Sequence, residues 1–385
     1  MEAANIKTAS IGRLKNQYFN QKITLDDFKQ NMKAVYLSRS VEGYKSSAYQ
    51  REIIASLSKK IELFLYGPGF SNYSPDDTIQ DVIAKSGQDP DCLILGHRWL
   101  SDNDGEKIDP CPHLNINSID LPVFGFLNKE YVNLDAKLNF FNNGNFVKVF
   151  SHHHKAHEFN KGNAQRFLFT PFGFSDEKIK RHDPGKPREI DLFFSGVLKN
   201  PRYESSVARS TAQKELFYEI SGYPIVKRAR YRSYKIFWNA ISPYQVMGES
   251  GPILARALSH IAPKYAHRFL PEDQYSASLT SSKIVLNSLS PAGLIGTRYF
   301  ESMAAGAIVL TEQGAQLNDV FSNSDYVSFS VKNGAKEFSD QLDWLLSNDS
   351  KRIKMARKAQ DMVFKYHTWD ARTDSIVRAI KEAIV

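Results

Sequence analysis

The chain contains only two cysteines, Cys92 and Cys111, among 385 residues. Two cysteines cannot build a disulfide framework, so the composition favours a reducing compartment. No run of about 18 apolar residues is present, which is the length that a membrane-spanning helix needs. The amino-terminal stretch MEAANIKTASIGRLKNQ also lacks the apolar centre of a secretory signal. We therefore expect a cytoplasmic protein, and peripheral contact with the inner face of a membrane stays open.

Dense runs of lysine and arginine are absent as well, although the formal net charge is +8. A basic balance favours an anionic partner, such as nucleotide phosphates or an anionic membrane face. A protein that is simply basic would give the same balance. Because no basic run occurs, we expect no nucleic-acid partner.

The glycine pattern of dinucleotide-binding enzymes is also missing. The first predicted strand, KAVYLSRS, is followed by VEGYKSS, where such an enzyme would carry Gly-x-Gly-x-x-Gly. This absence argues against a dehydrogenase.

Short apolar runs alternate with helical patterns through the first part of the chain. Parallel pairing follows from such alternation, because each crossover helix must pack on the sheet. We predict helices at 46–60 and 78–87, and strands at 33–40, 61–70, 91–99, 121–127 and 146–154.

A charged segment with two prolines and a glycine, residues 175–189, then indicates a domain boundary. The alternation restarts beyond it with strands at 190–196, 223–226, 283–290, 307–310 and 326–330 and a helix at 204–220, before a helical end. The pattern predicts two α/β domains, residues 1–180 and 187–368, followed by a helix at 369–385. Ligands of open parallel sheets bind beyond the carboxyl ends of the strands, so we expect the ligand between the domains.

The stretch GLIGTRYFESMAAGAIVL (293–310) predicts a loop, a helix and a strand. Thr297 is a candidate helix cap, and the amides at the helix start favour an anion. Arg298 offers a planar donor fork suited to phosphate, and Glu301 can accept two hydroxyl hydrogen bonds, as a ribose diol requires. Because they are three residues apart, Arg298 and Glu301 fit a surface salt bridge equally well.

A second candidate for anion binding is DLFFSGVLKNPRY (191–203), in which a strand runs into Gly196. A bare glycine there lets backbone approach a phosphate. Lys199 and Arg209 add positive charge nearby, although basic residues in loops are commonly just solvated.

Histidines and aspartates follow two other strands. In SHHHKAH (151–157), His153 is a candidate donor or base at a strand end. His97 and Asp102 lie in LGHRWLSDND, whose Asp-Asn-Asp has the shape of a metal-binding motif but is more often a plain turn. We expect no metal, because no cysteine or carboxylate stands at ligand spacing from the histidines.

Several motifs together resemble one family. They are YGPGF, PDCLILGHRW, LNKEYVNLDAKLNFF, FTPFGF, DLFFSG, RYFESMAAGAIVLTE and YHTWDAR. As a set, they resemble the CgeB-like glycosyltransferases of the GT-B superfamily. The resemblance begins near residue 60 and is densest between 283 and 373.

This resemblance implies an α/β fold of two Rossmann-like domains that face each other across a cleft, with a nucleotide sugar on the second. Glu301 stands where the superfamily carries a helical glutamate that holds the ribose, and Gly196 matches a glycine that admits the diphosphate. Many relatives have another glutamate eight residues earlier, where this chain has Gly293. Arg298 is then expected to meet the diphosphate. The last helix is expected to return to the first domain.

The predicted function is that of a hexosyltransferase-type glycosyltransferase in surface polysaccharide or glycoconjugate synthesis. It would move a sugar from a nucleoside-diphosphate sugar to a hydroxyl of a glycan or glycolipid, without a metal. Inversion of configuration would require a base, for which His153, His97 and Asp102 are the candidates, whereas retention would require none. The alternative is a nucleotide- or sugar-binding protein without catalysis.

Overall fold

The computed structural model describes residues 32–40, 48–102, 107–130, 132–159, 162–163, 165–197, 234–241, 270–290, 293–330 and 333–384. Residues 33–385 form one compact unit. The predicted helix at 204–220, the predicted strand at 223–226, and the site candidates Lys199 and Arg209 lie outside the described residues. No helix in the described part of the chain is long and apolar enough to cross a membrane.

The first domain is built on a six-stranded parallel sheet of order β2-β1-β3-β4-β5-β6. Because β1 lies between β2 and β3, the strand order reverses there, and this position is the switch point of the sheet. The strands are β1 Lys33–Leu37, β2 Glu62–Tyr66, β3 Cys92–Leu95, β4 Val123–Leu127, β5 Phe146–Ser151 and β6 Phe167–Phe169. The helices are α1 Ala48–Ser58, α2 Ile79–Ser86 and α3 Leu134–Asn143, with 3₁₀ turns at Pro112–Leu114, Ile116–Ser118 and Ala156–Glu158.

The local sequence explains these elements. Strands β3 and β4 are buried along their whole length, as their continuous apolar runs require in a parallel sheet covered on both faces. Helix α2 begins at a capping box, in which the Thr78 hydroxyl accepts from the Asp81 amide and the Asp81 carboxylate accepts from the Thr78 amide. It ends at Gly87, whose φ of 64° suits a glycine.

The second domain has a five-stranded parallel sheet of order β11-β10-β9-β7-β8. Its order reverses between β7 and β9, which is the switch point of this sheet. The strands are β7 Ile190–Val197, β8 Ile236–Ile241, β9 Ser282–Asn287, β10 Ile308–Glu312 and β11 Tyr326–Phe329. The helices are α4 Glu272–Thr280, α5 Thr297–Ala304, α6 Ala315–Val320, α7 Gly334–Ser347, α8 Asp349–Tyr366 and α9 Trp369–Ile384.

The carboxyl edges of the two sheets face each other. Gln316 lies on α6, directly after β10, and its amide donates to the carbonyl of His152, directly after β5, at 2.8 Å. His154 contacts the carboxylate of Asp319 on the same helix. Both contacts therefore join the carboxyl end of one sheet to that of the other, which is the end at which open parallel sheets bind ligands.

The final helix α9 packs against α1 of the first domain. The hydroxyls of Ser56 and Thr373 lie 2.7 Å apart, and both groups are buried. Lys60 forms ion pairs with Asp370 at 2.8 Å and with Asp374 at 2.6 Å. The chain thus crosses from the second sheet back to the first.

The first prediction concerns Trp369, which begins α9 and is 3% exposed. Its indole Nε1 donates to Glu52 at 2.7 Å, and its ring stacks on Tyr49. We expect Trp369→Ala to lower the free energy of unfolding by about 3–5 kcal/mol, because a large cavity remains and Glu52 loses one hydrogen bond. Urea denaturation followed by far-ultraviolet circular dichroism measures the change.

Trp344 on α7 provides the matched control, because it is 37% exposed. We expect Trp344→Ala to shift the same transition by less than about 1 kcal/mol, as is usual for a surface position. If the two substitutions destabilise the protein equally, α9 does not anchor the first domain as described.

Candidate functional site

The candidate site lies at the switch point of the second sheet. Gly196 is near the carboxyl end of β7, and α5 begins after the loop that follows β9. Because β7 and β9 are neighbours, the front of α5 lies against the end of β7. The structure therefore brings Gly196 close to the helix that carries Thr297, Arg298 and Glu301, about a hundred residues later in the sequence.

Arg298 reaches across this switch point. Its guanidinium Nη1 donates a hydrogen bond to the carbonyl oxygen of Ser195. A Cβ atom added to Gly196 would lie 2.4 Å from that nitrogen, so the glycine is needed for the close approach. Among the described residues, no ion pair joins Arg298 to Glu301. The surface salt bridge that their spacing allowed is therefore absent.

Glu301 is half-buried on the next turn of α5. Its Oε2 accepts a hydrogen bond from the hydroxyl of Tyr275 at 2.9 Å. Burial and, to a smaller extent, the nearby Glu52 raise the pKa of the Glu301 carboxyl to about 7. The hydrogen bonds from Tyr275 and Thr297 and the charge of Arg298 oppose this rise. A carboxyl with this pKa is part neutral and part ionised near neutral pH.

Thr297 does not cap the helix as predicted. Helix α5 begins at Thr297, and the cap position is Gly296, which makes no side-chain cap hydrogen bond. A capping side chain must stand before the first helical residue, so Thr297 is one position too late. Its hydroxyl lies close enough to Glu301, one turn along the helix, to help lower the pKa of that carboxyl.

Gly293 adopts a left-handed conformation with a φ of 74°. Its amide donates to the Ser290 carbonyl at 2.9 Å, and the Leu294 amide donates to the Ser290 hydroxyl at 3.1 Å. Any residue with a Cβ is strained at this φ. The tight turn before α5 thus gives a physical reason for glycine at the position where related sequences are expected to carry glutamate.

On the first domain, His97 follows β3 at the switch point of its sheet. The side chain is 2% exposed, and its ring stacks on Phe126 with centroids 4.2 Å apart and on His152 at 5.2 Å. Neither ring nitrogen has a hydrogen-bond partner among the described residues. Burial holds the pKa of His97 well below its usual value, so the ring is neutral.

The histidines after β5 point to different partners. His152 Nδ1 lies 2.7 Å from the Thr170 carbonyl, and burial lowers the pKa of this ring to about 4. His153 is half-buried, accepts from the Lys155 amide at 3.1 Å, and also has a pKa lowered by burial. His153 is thus neutral and partly accessible, as a base requires.

Asp102 is held by two lysines. Its oxygens lie 2.7 Å from Lys129 and 2.7 Å from Lys137, and the side chain of Lys137 is almost fully buried. The two ammonium groups outweigh burial and lower the pKa of Asp102. A strongly ionised, paired carboxylate is a weak base, so this arrangement argues against the predicted role of Asp102. No group of three metal-binding side chains occurs in the described ranges.

Two residues beside Glu301 escaped sequence reasoning. Tyr275 lies in PEDQYSASLT on α4, and Glu52 lies on α1. Glu52 accepts from Trp369 at 2.7 Å and pairs with Lys178 at 3.0 Å, while Lys178 also pairs with Glu272 of α4 at 2.5 Å. Neither Tyr275 nor Glu52 belongs to a sequence motif, and only the fold brings them close to Glu301.

Comparison with solved structures shows that the fold is shared. HepE of Anabaena, solved in complex with UDP-glucose, superimposes with a TM-score of 0.59 at 13% identity, over 91% of this chain and 100% of that one. Sucrose-phosphate synthase of Thermosynechococcus elongatus gives 0.59 at 10% identity, over 91% and 98%. A glycosyltransferase of Rickettsia africae gives 0.56 at 10% identity, over 92% and 99%.

Sequence comparison adds a narrower match. A search of curated protein sequences found no match. Residues 229–378 match the family model described as glycosyl transferase-like, which covers most of the second domain. This segment of the chain is therefore similar in sequence to the glycosyl transferase-like family, and the two parallel sheets are similar in fold to HepE, the synthase and the glycosyltransferase named above.

Proposed function

We propose that this protein transfers a sugar from a nucleoside-diphosphate sugar to a hydroxyl of a glycan or glycolipid, without a bound metal. The observation that carries the proposal is the arrangement of Arg298 and Glu301 at the switch point of the second sheet. We place this activity at the inner face of the cytoplasmic membrane, in surface polysaccharide or glycoconjugate synthesis. The CgeB-like resemblance supports this narrower assignment.

The site suits the two polar parts of such a donor. An ionised Glu301 accepts two hydrogen bonds from a ribose diol. The unpaired amides at the start of α5 and the guanidinium of Arg298 suit the diphosphate, because helix amino termini and planar donor forks both favour phosphate oxygens. HepE binds UDP-glucose, so UDP-sugars are the first donors to test.

Departure of the nucleoside diphosphate requires its developing charge to be stabilised. Without a metal, this task falls to Arg298 and the α5 amides, and Lys199 and Arg209 are proposed to add positive charge. Removing one well-placed donor of this kind typically costs about a hundredfold or more in rate.

The acceptor hydroxyl is proposed to enter from the first domain. If configuration inverts, His153 is our first candidate for the base, because it is neutral and partly accessible. His97 is the second, with two unpartnered ring nitrogens. Its greater burial makes it the weaker base, because burial disfavours the charged form.

A binding protein without catalysis is the alternative, favoured by Gly293 at the position of a second glutamate. Release of UDP, GDP or CMP from a panel of sugar nucleotides separates the two functions. Turnover of one donor, with acceptor or by slow hydrolysis, is the expected result. If no donor is consumed but one raises the melting temperature, the binding-only function is correct; if neither occurs, the site is misassigned.

The second prediction concerns the ribose and phosphate contacts. We expect Glu301→Gln and Arg298→Ala each to weaken binding of UDP-glucose by about tenfold or more, since each removes a charge-assisted hydrogen bond. Isothermal titration calorimetry measures the dissociation constants. Arg357→Ala is the matched control, because Arg357 is an exposed arginine paired only with Asp183 among the described residues. Wild-type affinity in both site variants would place the nucleotide elsewhere.

The third prediction is a pH dependence. Because the pKa of Glu301 is about 7, the free carboxyl gains a proton as the pH falls below 7 and loses acceptor capacity. Affinity for UDP-glucose should therefore fall by up to tenfold for each pH unit below 7 and stay constant above about 8. UDP-glucose is the probe because a terminal phosphate would itself titrate near about pH 6.

Glu301→Gln supplies the control for this titration. Its affinity should be weak and nearly independent of pH in the same range, because glutamine does not titrate. A variant that keeps the wild-type pH profile would show that another group causes it.

A further inference from the structure

A second concave surface lies at the far edge of the second sheet, away from the nucleotide site. It is a cavity of about 1050 Å³ between β11, α6 and α7. We name it the β11 groove, and its lining includes Gln313, Asn318, Ser328, Asp340, Gln341 and Trp344. Strand β11 is the edge of the sheet and pairs only with β10 among the described strands. Two strands separate it from β7, so the groove lies more than about 10 Å from the switch point.

The groove combines an aromatic ring with many hydrogen-bonding groups. Trp344 is the only large apolar side chain that is exposed within the described ranges. A single exposed tryptophan would need no explanation, but this one lines a cavity. Gln313, Asn318 and Gln341 each bring an amide, which both donates and accepts hydrogen bonds. The edge strand adds backbone groups on its unpaired side.

The charge of the groove is nearly balanced. Asp340 is paired with Lys336 at 2.8 Å. Lys351 lies over the Trp344 ring, with its nitrogen 5.9 Å from the ring centroid. Among the described residues that line the groove there is no arginine or lysine, and selection of phosphate would require such residues. The lining therefore favours a neutral ligand that carries many hydroxyls and an apolar face.

We propose that the β11 groove binds a segment of a neutral saccharide chain. One face of a pyranose ring carries C–H groups that pack on an indole, while its hydroxyls need the mixed donors and acceptors that amides supply. A peptide added to the edge of β11 would draw its affinity mainly from main-chain hydrogen bonds, whereas this lining offers three amide side chains and the Trp344 ring.

The position of the β11 groove relates saccharide binding to the proposed sugar transfer. Its inner end is formed by Gln313, Gly314 and Ala315, at the carboxyl end of β10. Helix α6 begins there and contacts His152 of the first domain, so the groove opens beside the cleft. A saccharide held in it would extend towards the cleft, and its identity as the acceptor rests on the proposed transferase function.

The fourth prediction tests saccharide binding without nucleotide. Maltohexaose, cellohexaose, xylohexaose and chitohexaose are titrated into the full chain, with saturation-transfer NMR and calorimetry as readouts. We expect at least one to bind. Trp344→Ala should weaken that binding by about tenfold, which corresponds to about 1.4 kcal/mol, and Trp344→Tyr should keep most of it because the aromatic surface remains.

Two further variants make the result specific. Lys354→Ala changes an exposed residue of α8 outside the groove lining and should bind saccharide like the wild type. Glu301→Gln should also bind saccharide normally while losing affinity for UDP-glucose, so failure of the donor site does not imitate failure of the groove. The proposal is overturned if no hexasaccharide binds, if Trp344→Ala binds as tightly as the wild type, or if Trp344→Ala changes the oligomeric mass instead.

Discussion

The hydrogen bond from Arg298 to the carbonyl of Ser195 is the contact on which the donor side of the molecule depends. It joins the first turn of α5 to the carboxyl end of β7, across the point where the strand order reverses. Gly196 makes this contact possible, since any side chain there would collide with the guanidinium. The glycine was expected to leave room for a diphosphate. In the structure its bare face admits the Arg298 guanidinium.

The same short helix, α5, carries Glu301, whose pKa is subject to two opposing influences. Burial pushes Glu301 towards its neutral form, while Tyr275, Thr297 and Arg298 favour the charged form. The pKa of Glu301 therefore lies near neutral pH, and perturbed pKa values of this kind are common at functional sites. Glu52 contributes from the first domain and is itself fixed by Lys178 and Trp369. The titration of Glu301 thus depends on how the two domains meet, although its motif lies wholly in the second.

Periodicity and turn chemistry were enough to predict most strands and the type of fold. The strands β3, β4 and β10 are continuous apolar runs bounded by turns, and each was predicted within a few residues. Strands β6 and β8 were missed, because one has three residues and the other stands outside any clear alternation. The helix start was predicted one residue too late, which made Thr297 the cap instead of the first helical residue. Contacts between distant residues, such as Asp102 with Lys129 and Lys137, have no local signal, so their effect on basicity appears only after folding.

The two switch points differ in the side chains that lie beside them. The second sheet offers a fixed cation, helix amides and a carboxyl that can accept from hydroxyls. The first sheet places His97 and His152 at strand ends as buried, uncharged rings. A positive charge on that side would also attract an anion, and Lys129 and Lys137 are both paired with Asp102, which offsets part of their charge. The aspartate's contribution is therefore electrostatic: its single negative charge offsets one of the two positive charges of its lysines, and their pairing with it keeps its own pKa low.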